Sequence, residues 1–491
     1  MSSDTLAARF VPMAGERSPK TSVPLVLAAG VGALLVGIAG FSVSPKLGLL
    51  ALGLPIAPFF VLAPDKALLL VVAALPFDAV AALAQGSGTL TKLLGMAVMA
   101  GWVLHVLLRR HRIQIGRPGF FVLGWITMAI LSLMWTPIVG LATYKLKTTL
   151  QLVVFYLMVS NLLKDELALK RAVDVWIGAS AIVALLVLWQ FHSGALLEQT
   201  RLQRATLQVG DAKINQNALG AVLALPALAA VVIGRARQSF GWWRWVASIP
   251  LGVAMILTGS RGAVVAFAVG VVALATLRPR FGVRAIAAAI LIVGMLALIV
   301  PQEYADRLST RFGQASGDRM SGRLDIWAVG MSMIKTRPLL GVGYSGFEPE
   351  FYRYMKKTEV DPRWASDRTN RWGRRAAHNI YLTTVAELGV FGGVLLACMF
   401  GAHWLAASRA RRAGRGKRKG QIPTVALAVS VLLVGLAVLG MTIEFADMKL
   451  TWFTLALANA AGLAAGSRPA PRTSPRRGAS TAVGTTKELR S

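Results

Sequence analysis

The stretch AHNIYLTTVAELGVFGGVLLACMFGAHWLA, residues 377–406, joins two kinds of chain. Residues 301–376 before it are largely polar, whereas Ile380 to Leu405 are almost all apolar. The apolar part is long enough for a helix through a hydrocarbon core of roughly 30 Å. A water-exposed loop therefore ends at the pair His378-Asn379, which opens a membrane helix and brings a titratable group to a membrane face.

The same apolar pattern extends across the chain. Of 491 residues, 55% are hydrophobic and only 15% charged, a balance that excludes an ordinary soluble protein of two or three domains. Apolar runs of spanning length lie at 23–41, 47–63, 67–84, 93–108, 119–136, 148–163, 172–191, 216–234, 243–258, 262–277, 285–300, 379–406, 423–441 and 450–466. The runs 47–63 and 262–277 are short enough to be re-entrant, so the expectation is an all-α integral membrane protein of 12 to 14 helices. Its parts are an N-terminal segment (1–22), eleven spans (23–300), one large loop with interfacial helices (301–378), three further spans (379–466) and a disordered tail rich in Ser, Pro, Arg and Gly (467–491). The run 23–41 is too long for the core of a signal peptide and leads straight into another span, so it reads as the first helix.

A formal charge of +31 invites a nucleic-acid reading. The basic residues sit instead in short loops between spans, where they orient helices and meet anionic lipid head groups. Nucleic acid is therefore not an expected partner, and membrane lipids are. The single cysteine, Cys398, lies inside a span and has no partner within the chain.

With both termini placed in the cytoplasm, the inner segments hold 30 of the 53 Lys and Arg residues and the short outer loops hold 9. The long loop is exempt from this comparison, and the bias sets the orientation. Four features then share the outer face: the 192–215 loop, the turn Gly259-Ser260-Arg261-Gly262, the 301–378 loop, and the connection Glu444-Phe445-Ala446-Asp447. One site can be built from all of them.

Candidate chemistry gathers on that face. Arg201 and Arg204 run against the charge bias of an outer loop, and Asn217, at the start of the next helix, is either a cap or a ligand. The glycines around Ser260 and Arg261 permit a tight turn and a close approach, and a guanidinium at the membrane surface suits a pyrophosphate as well as it suits a lipid phosphate. From Arg323 an amphipathic helix runs to Pro338, with Leu324, Trp327, Met331 and Ile334 on the face expected to rest on the membrane interface. Gly341-Val342-Gly343-Tyr344 reads as a turn rather than a phosphate loop, and the basic segment 353–375 suits an anionic glycolipid or is simply a solvated face. The imidazole of His378 can take a proton from an attacking hydroxyl or be structural. Tyr381 shares its helix face, whereas Glu387 lies nearly opposite. Asp78, His105 and His192 near helix ends read as solvated or structural groups.

In their order, spacing and common side, Gly259-Ser260-Arg261-Gly262, Ser321-Gly322-Arg323 through Ile326-Trp327, Gly341-Val342-Gly343, His378-Asn379-Ile380-Tyr381-Leu382 and Glu387-Leu388-Gly389 resemble the O-antigen ligase and polymerase superfamily. The resemblance covers roughly 200–395. It implies a bacterial inner-membrane glycosyltransferase of GT-C-like helical fold, its active site facing the periplasm. Such an enzyme takes a glycan from undecaprenyl pyrophosphate and transfers it to a sugar hydroxyl of a glycolipid or lipid-linked acceptor. By that analogy Arg261 and Arg204 (or Arg201) hold the pyrophosphate and His378 activates the acceptor, with Asn217, Ser260, Arg323, Asn379 and Tyr381 around the substrates. No metal or other cofactor is implied, and no Asp-x-Asp occurs in an outer loop to hold one. A ligase with a lipid A core acceptor, a polymerase extending lipid-linked repeats and, from another class, a multi-span glycan transporter are the readings in contest. The transporter fits least, because no internal repeat is visible and the distinctive charges gather on one face.

Overall fold

The computed structural model describes residues 58–77, 90–110, 112–193, 204–209, 212–234, 241–278, 323–358, 376–413, 422–444 and 447–466. They form a helical bundle: α1 (Pro64–Ala74), α2 (Leu90–Arg109), α3 (Gly116–Leu131), α4 (Val139–Leu162), α5 (Glu166–His192), α6 (Gln216–Ile233), α7 (Trp242–Leu257), α8 (Arg261–Leu277), α9 (Arg323–Thr336), α10 (Phe347–Met355), α11 (Ile380–Ala413), α12 (Ile422–Leu439) and α13 (Lys449–Gly466). One short antiparallel pair, β1 (Gln208–Val209) with β2 (Ala212–Lys213), closes the loop before α6.

Three helices form the centre. Leu219–Ile233 of α6 is buried without interruption, and α12 and α13 are buried nearly all round. Such helices are apolar on every face because they meet only other helices. Around them pack α8 against α6 and α12, α7 against α6 and α5, α11 against α12, α13 and α3, and α4 against α13. Small residues set the spacing: Gly435 and Gly270 lie against Leu228, and Gly462 against Ala406. The outward faces carry exposed Phe120, Leu185, Trp189, Ile249 and Val272, the surface expected of helices that meet lipid. Helices at 116–134, 166–192, 216–233, 380–413 and 422–439 are each long and apolar enough to cross a membrane, and shorter apolar helices stand at 94–109, 242–257 and 261–277. This is a multi-pass membrane protein. Of the fourteen expected runs, 23–41, 285–300 and most of 47–63 lie outside the described residues, so the count rests on the sequence alone.

Both ends of the bundle are tied by polar contacts. At one end the Asn459 amide donates to the Ile115 carbonyl at 3.0 Å and Asn161 pairs with Gln114. There Arg244 also makes a bidentate pair with Asp174, both bonds 2.7 Å. The other end gathers the loops between α3 and α4, α5 and α6, α7 and α8, α12 and α13, with α9, α10 and the start of α11. The described parts of the four features expected to share a face thus lie at one end of the bundle.

One expectation needs correction and a second is refined. The helix from Ile380 is not continuous: Gly389 has φ 68° and ψ −168°, which splits α11 into a short segment before it and a long apolar one after it. In α9, Leu324 and Met331 are exposed, whereas Ile326, Val329 and Met333 are buried against Phe347, Phe351, Ala377 and Ala386. The helix carries two apolar stripes: one packs on the protein, and in the one expected at the membrane interface Leu324 and Met331 stay exposed.

Candidate functional site

The break at Gly389 exists because another strand of backbone passes through it. Residues 338–343 lie alongside α11: Val342 N–H donates to Ala386 O at 2.9 Å, Gly343 N–H to Glu387 O at 2.8 Å, and Val390 N–H to Pro338 O at 2.8 Å. A Cβ on Gly389 would collide with the Leu339 carbonyl, and one on Gly341 with the backbone of Glu387. Both glycines also have positive φ. The turn at 341–344 is thus a strap woven into α11. Its Tyr344 N–H donates to Ser132 Oγ at 2.9 Å, its carbonyl accepts from Thr136 Oγ1 at 2.9 Å, and its hydroxyl meets Thr149 Oγ1 at 2.7 Å.

Glu387 secures the strap from inside. Its buried carboxylate accepts the N–H groups of Ser345 at 2.8 Å and Phe347 at 3.1 Å, and so caps the buried donors at the start of α10. Sequence reasoning set Glu387 aside as a partner of His378, and it missed α10 altogether. The signal was present in Phe347, Phe351 and Tyr354 at helical spacing after Gly346, with Glu348 and Glu350 in the first turn.

His378 is held by its neighbours rather than by its own side chain. The Ala377 carbonyl accepts from Trp327 Nε1 at 3.0 Å. Asn379 Oδ1 caps α11 by accepting from the N–H groups of Tyr381 and Leu382, and Ile380 N–H donates to the Gly440 carbonyl at 2.8 Å. Between these anchors His378 is exposed and has φ 49°, a left-handed backbone uncommon outside glycine. Strain of this kind persists where the surroundings over-determine it, and it is concentrated at functional sites. Tyr381 points elsewhere: its hydroxyl donates to Ala437 O at 2.7 Å and fixes α11 to α12.

Among the arginines, Arg204 is built into the fold. Its Nε donates to Thr258 O at 2.7 Å and an Nη to Asn217 Oδ1 at 3.0 Å. Gly259, at φ 62°, leaves room for it, since a Cβ there would stand 3.0 Å from Arg204 Nε. Gly262 likewise admits Thr442. The close approach expected around this turn is thus made by the chain itself. Asn217 is not the cap of α6: Asn215 is, accepting from the N–H groups of Asn217 and Ala218. Ser260 precedes α8, is only 2% exposed, and packs against Gly220. Arg201 lies outside the described residues, as do Asp78 and most of the basic segment 353–375.

Arg261, the first residue of α8, is exposed and makes no ion pair among the described residues. Arg323, the first described residue of α9, stands near it. Partial burial and the charge of Arg261 lower the pKa of the Arg323 guanidinium. No carboxylate pairs with either arginine among the described residues. Two like charges held together on separate elements mark a place where an anion would relieve the repulsion. The structure therefore gathers Arg204, Asn217, Ser260 and Arg261 around one turn, with Arg323 near enough to feel the Arg261 charge, while His378 and Asn379 sit at the same end of the bundle. Among the described residues no group of three or more His, Cys, Asp or Glu side chains is placed to hold a metal ion.

A second region at this end is acidic. A cavity of about 50 Å³ lies under the strap, and Lys145 of α4 reaches into it, 3.5 Å from Glu348. Sequence reasoning missed both residues, because Lys145 stands ahead of its apolar run and Glu348 meets it from far along the chain.

Comparison with curated proteins gives no match. Comparison with family models gives one: the model described as O-Antigen ligase matches residues 246–397, which run from α7 to the apolar part of α11 and include the turn at Arg261, α9, the strap and His378.

Proposed function

From the match of residues 246–397 to the O-antigen ligase family model, we propose that the protein is an inverting glycosyltransferase of that superfamily. It takes a glycan from undecaprenyl pyrophosphate and transfers it to a sugar hydroxyl at the periplasmic face of the bacterial inner membrane. The observation that carries this reading is the pair Arg261 and Arg323. These two guanidiniums, without carboxylate partners among the described residues, stand at the end of the bundle that also exposes His378.

The chemistry follows from the groups present. The acceptor hydroxyl gives its proton to an imidazole nitrogen of His378 as its oxygen attacks the anomeric carbon. The bond from that carbon to the phosphate oxygen breaks, and the electron pair leaves with the pyrophosphate. Arg261 and Arg323 offset the charge that develops there with their guanidinium donors. Arg204, tied to Thr258 and Asn217, holds the turn that carries Arg261 and adds positive charge to the same place. Asn379 serves as the cap that fixes where His378 points.

The acceptor we favour is the sugar of a lipid A core, which makes the protein a ligase. A polymerase would use the same donor site with a lipid-linked repeat as acceptor. The chain length of glycan left on undecaprenyl pyrophosphate in a strain lacking this protein separates the two. Long polymers stranded on the lipid mean a ligase, single repeats mean a polymerase, and an unchanged pool overturns both.

A further inference from the structure

A groove of about 320 Å³ lies between α2 and α4. Met99 of α2 and Leu146, Leu150 and Val154 of α4 supply its apolar wall, and Thr143, Lys147 and Gln151, each four residues from the last, run down α4 beside them. Since α4 starts at the end of the bundle that gathers the strap, this polar row descends from that end into the apolar run 148–163. Thr143 is satisfied within its own helix, its hydroxyl donating to Val139 O at 2.9 Å. Lys147 is exposed and Gln151 half-buried, and neither side chain has a hydrogen-bond or ion-pair partner among the described residues.

A lysine at the edge of a membrane span ordinarily lays its stem on apolar surface and lifts its ammonium to the interface. That accounts for Lys147 alone. It leaves the Gln151 amide, about 6 Å deeper along the helix, beside hydrocarbon with its donors and acceptor unmet. A glycerophospholipid carries its phosphate at the interface and its ester carbonyls just below. A phosphate on Lys147 therefore brings an ester to the Gln151 amide. The acyl chain then follows Leu146, Leu150, Val154 and Met99. From Thr143 to Val154 the helix rises about 16 Å, the depth of one leaflet of a core roughly 30 Å thick. A polyprenyl phosphate offers the phosphate but only hydrocarbon beneath it, and leaves Gln151 unmet. A zwitterionic lipid offers both groups, yet its own ammonium is repelled by Lys147, a conflict that an anionic headgroup does not have.

We propose that this groove holds one anionic glycerophospholipid from the leaflet at the strap end of the bundle, with Lys147 on its phosphate and Gln151 on an ester carbonyl. The site does not depend on the transferase reading. A lipid there bears on the strap, because the same helix carries Lys145, 3.5 Å from Glu348, and Thr149, 2.7 Å from the Tyr344 hydroxyl. Lipid on one face of α4 and the strap on another clamp the helix between them, and bound lipid stabilises the folded state by mass action.

The test uses the full-length protein in detergent, stripped of lipid, with native mass spectrometry to measure bound lipid and thermal melts to read stabilisation. The probes are phosphatidylglycerol and phosphatidylethanolamine with the same acyl chains, and undecaprenyl phosphate. Phosphatidylglycerol is expected to bind about tenfold more tightly than phosphatidylethanolamine and to raise the melting temperature more. Lys147→Gln is expected to weaken phosphatidylglycerol binding about tenfold and to erase that preference, the effect of one charge-assisted hydrogen bond. Gln151→Leu is expected to weaken both phospholipids about fivefold and to leave undecaprenyl phosphate unchanged, the effect of one neutral hydrogen bond. Neither side chain has a partner to lose among the described residues, so both lipid-free variants should melt like wild type. If one fails to fold, the other carries the test. Equal binding of the two phospholipids by wild type, or phosphatidylglycerol binding unchanged in both variants, would overturn the site. So would undecaprenyl phosphate that binds more tightly than phosphatidylglycerol and is weakened by Lys147→Gln, since the groove would then belong to a prenyl chain.

Discussion

The carboxylate of Glu387 accepts the backbone N–H of Ser345 at 2.8 Å, and through that bond a residue of α11 fixes a strap that arrives forty-two positions earlier in the chain. The second oxygen takes Phe347 N–H, so one side chain holds both the strained residue and the start of α10. Removing it leaves two buried donors unpaired. We expect Glu387→Ala to lower stability by roughly 2–5 kcal/mol, while Glu387→Gln, which keeps one acceptor oxygen, costs about half of that. Thermal melts of the purified protein check this. A Glu387→Ala protein that melts like wild type would mean the strap is held by other contacts.

Gly389 makes the same point sterically. Any Cβ would enter the Leu339 carbonyl, and the residue has φ 68° besides. Gly389→Ala is expected to abolish folded protein, whereas Gly401→Ala, with open space around it in the same helix, should be neutral or slightly stabilising. Yield of monodisperse protein after detergent extraction reads out the difference.

How much of this was legible beforehand depends on the range of the interaction. The helices came from runs of apolar residues, and the turn at Arg261 and the opening of α11 at Asn379 from local residue types, so their places match the structure to within a few residues for α6, α7, α8 and the start of α11. Which asparagine caps α6 was misjudged, because Asn215 and Asn217 are equally good caps by type and only the backbone geometry decides. The strap, the role of Glu387 and the acidic cavity were invisible. They join Thr136 to Tyr344 and Lys145 to Glu348, pairs about two hundred residues apart that no local pattern relates. The packed face of α9 has the same origin: both stripes are apolar, and what lies opposite chooses between them.

His403 tests whether a histidine deep in a helix is chemical or structural. It is fully buried in α11, with Nδ1 2.7 Å from Met399 O and Nε2 3.1 Å from the Tyr156 hydroxyl. The carbonyl requires the proton on Nδ1, so Nε2 accepts from Tyr156 and the ring is neutral and fully paired. We expect His403→Leu to cost about 1–3 kcal/mol of stability, the penalty for a hydrogen bond lost from the buried Tyr156 hydroxyl. Glycan transfer per folded molecule should be unchanged. A specific loss of turnover with an unaltered melt would instead give His403 a part in the chemistry.

His378 calls for a substitution that respects its backbone. Asparagine tolerates φ near 50° better than alanine, so His378→Asn removes the base without adding strain. We expect transfer to fall by about 10²–10⁴-fold, the usual worth of general-base catalysis, with an unchanged melting temperature. Added imidazole should restore part of the rate. Full activity in His378→Asn would remove the residue from the mechanism.

Arg261 and Arg323 decide what stabilises the leaving group. If guanidinium charge does this work, each substitution to alanine should lower the rate by about 10²–10³-fold, the scale seen when one fixed donor is lost from a site that stabilises developing negative charge. Lysine in place of Arg261 keeps the charge but not the planar fork of donors, so it should recover only part of the loss. Their proximity adds a further expectation. In Arg261→Ala, Arg323 no longer faces a like charge, so the double substitution should cost less than the product of the two single effects if both hold the same anion. Chelation supplies the complementary experiment: EDTA should leave transfer intact. Loss of activity in EDTA, restored by added magnesium, would shift the leaving-group role from these arginines to a metal ion.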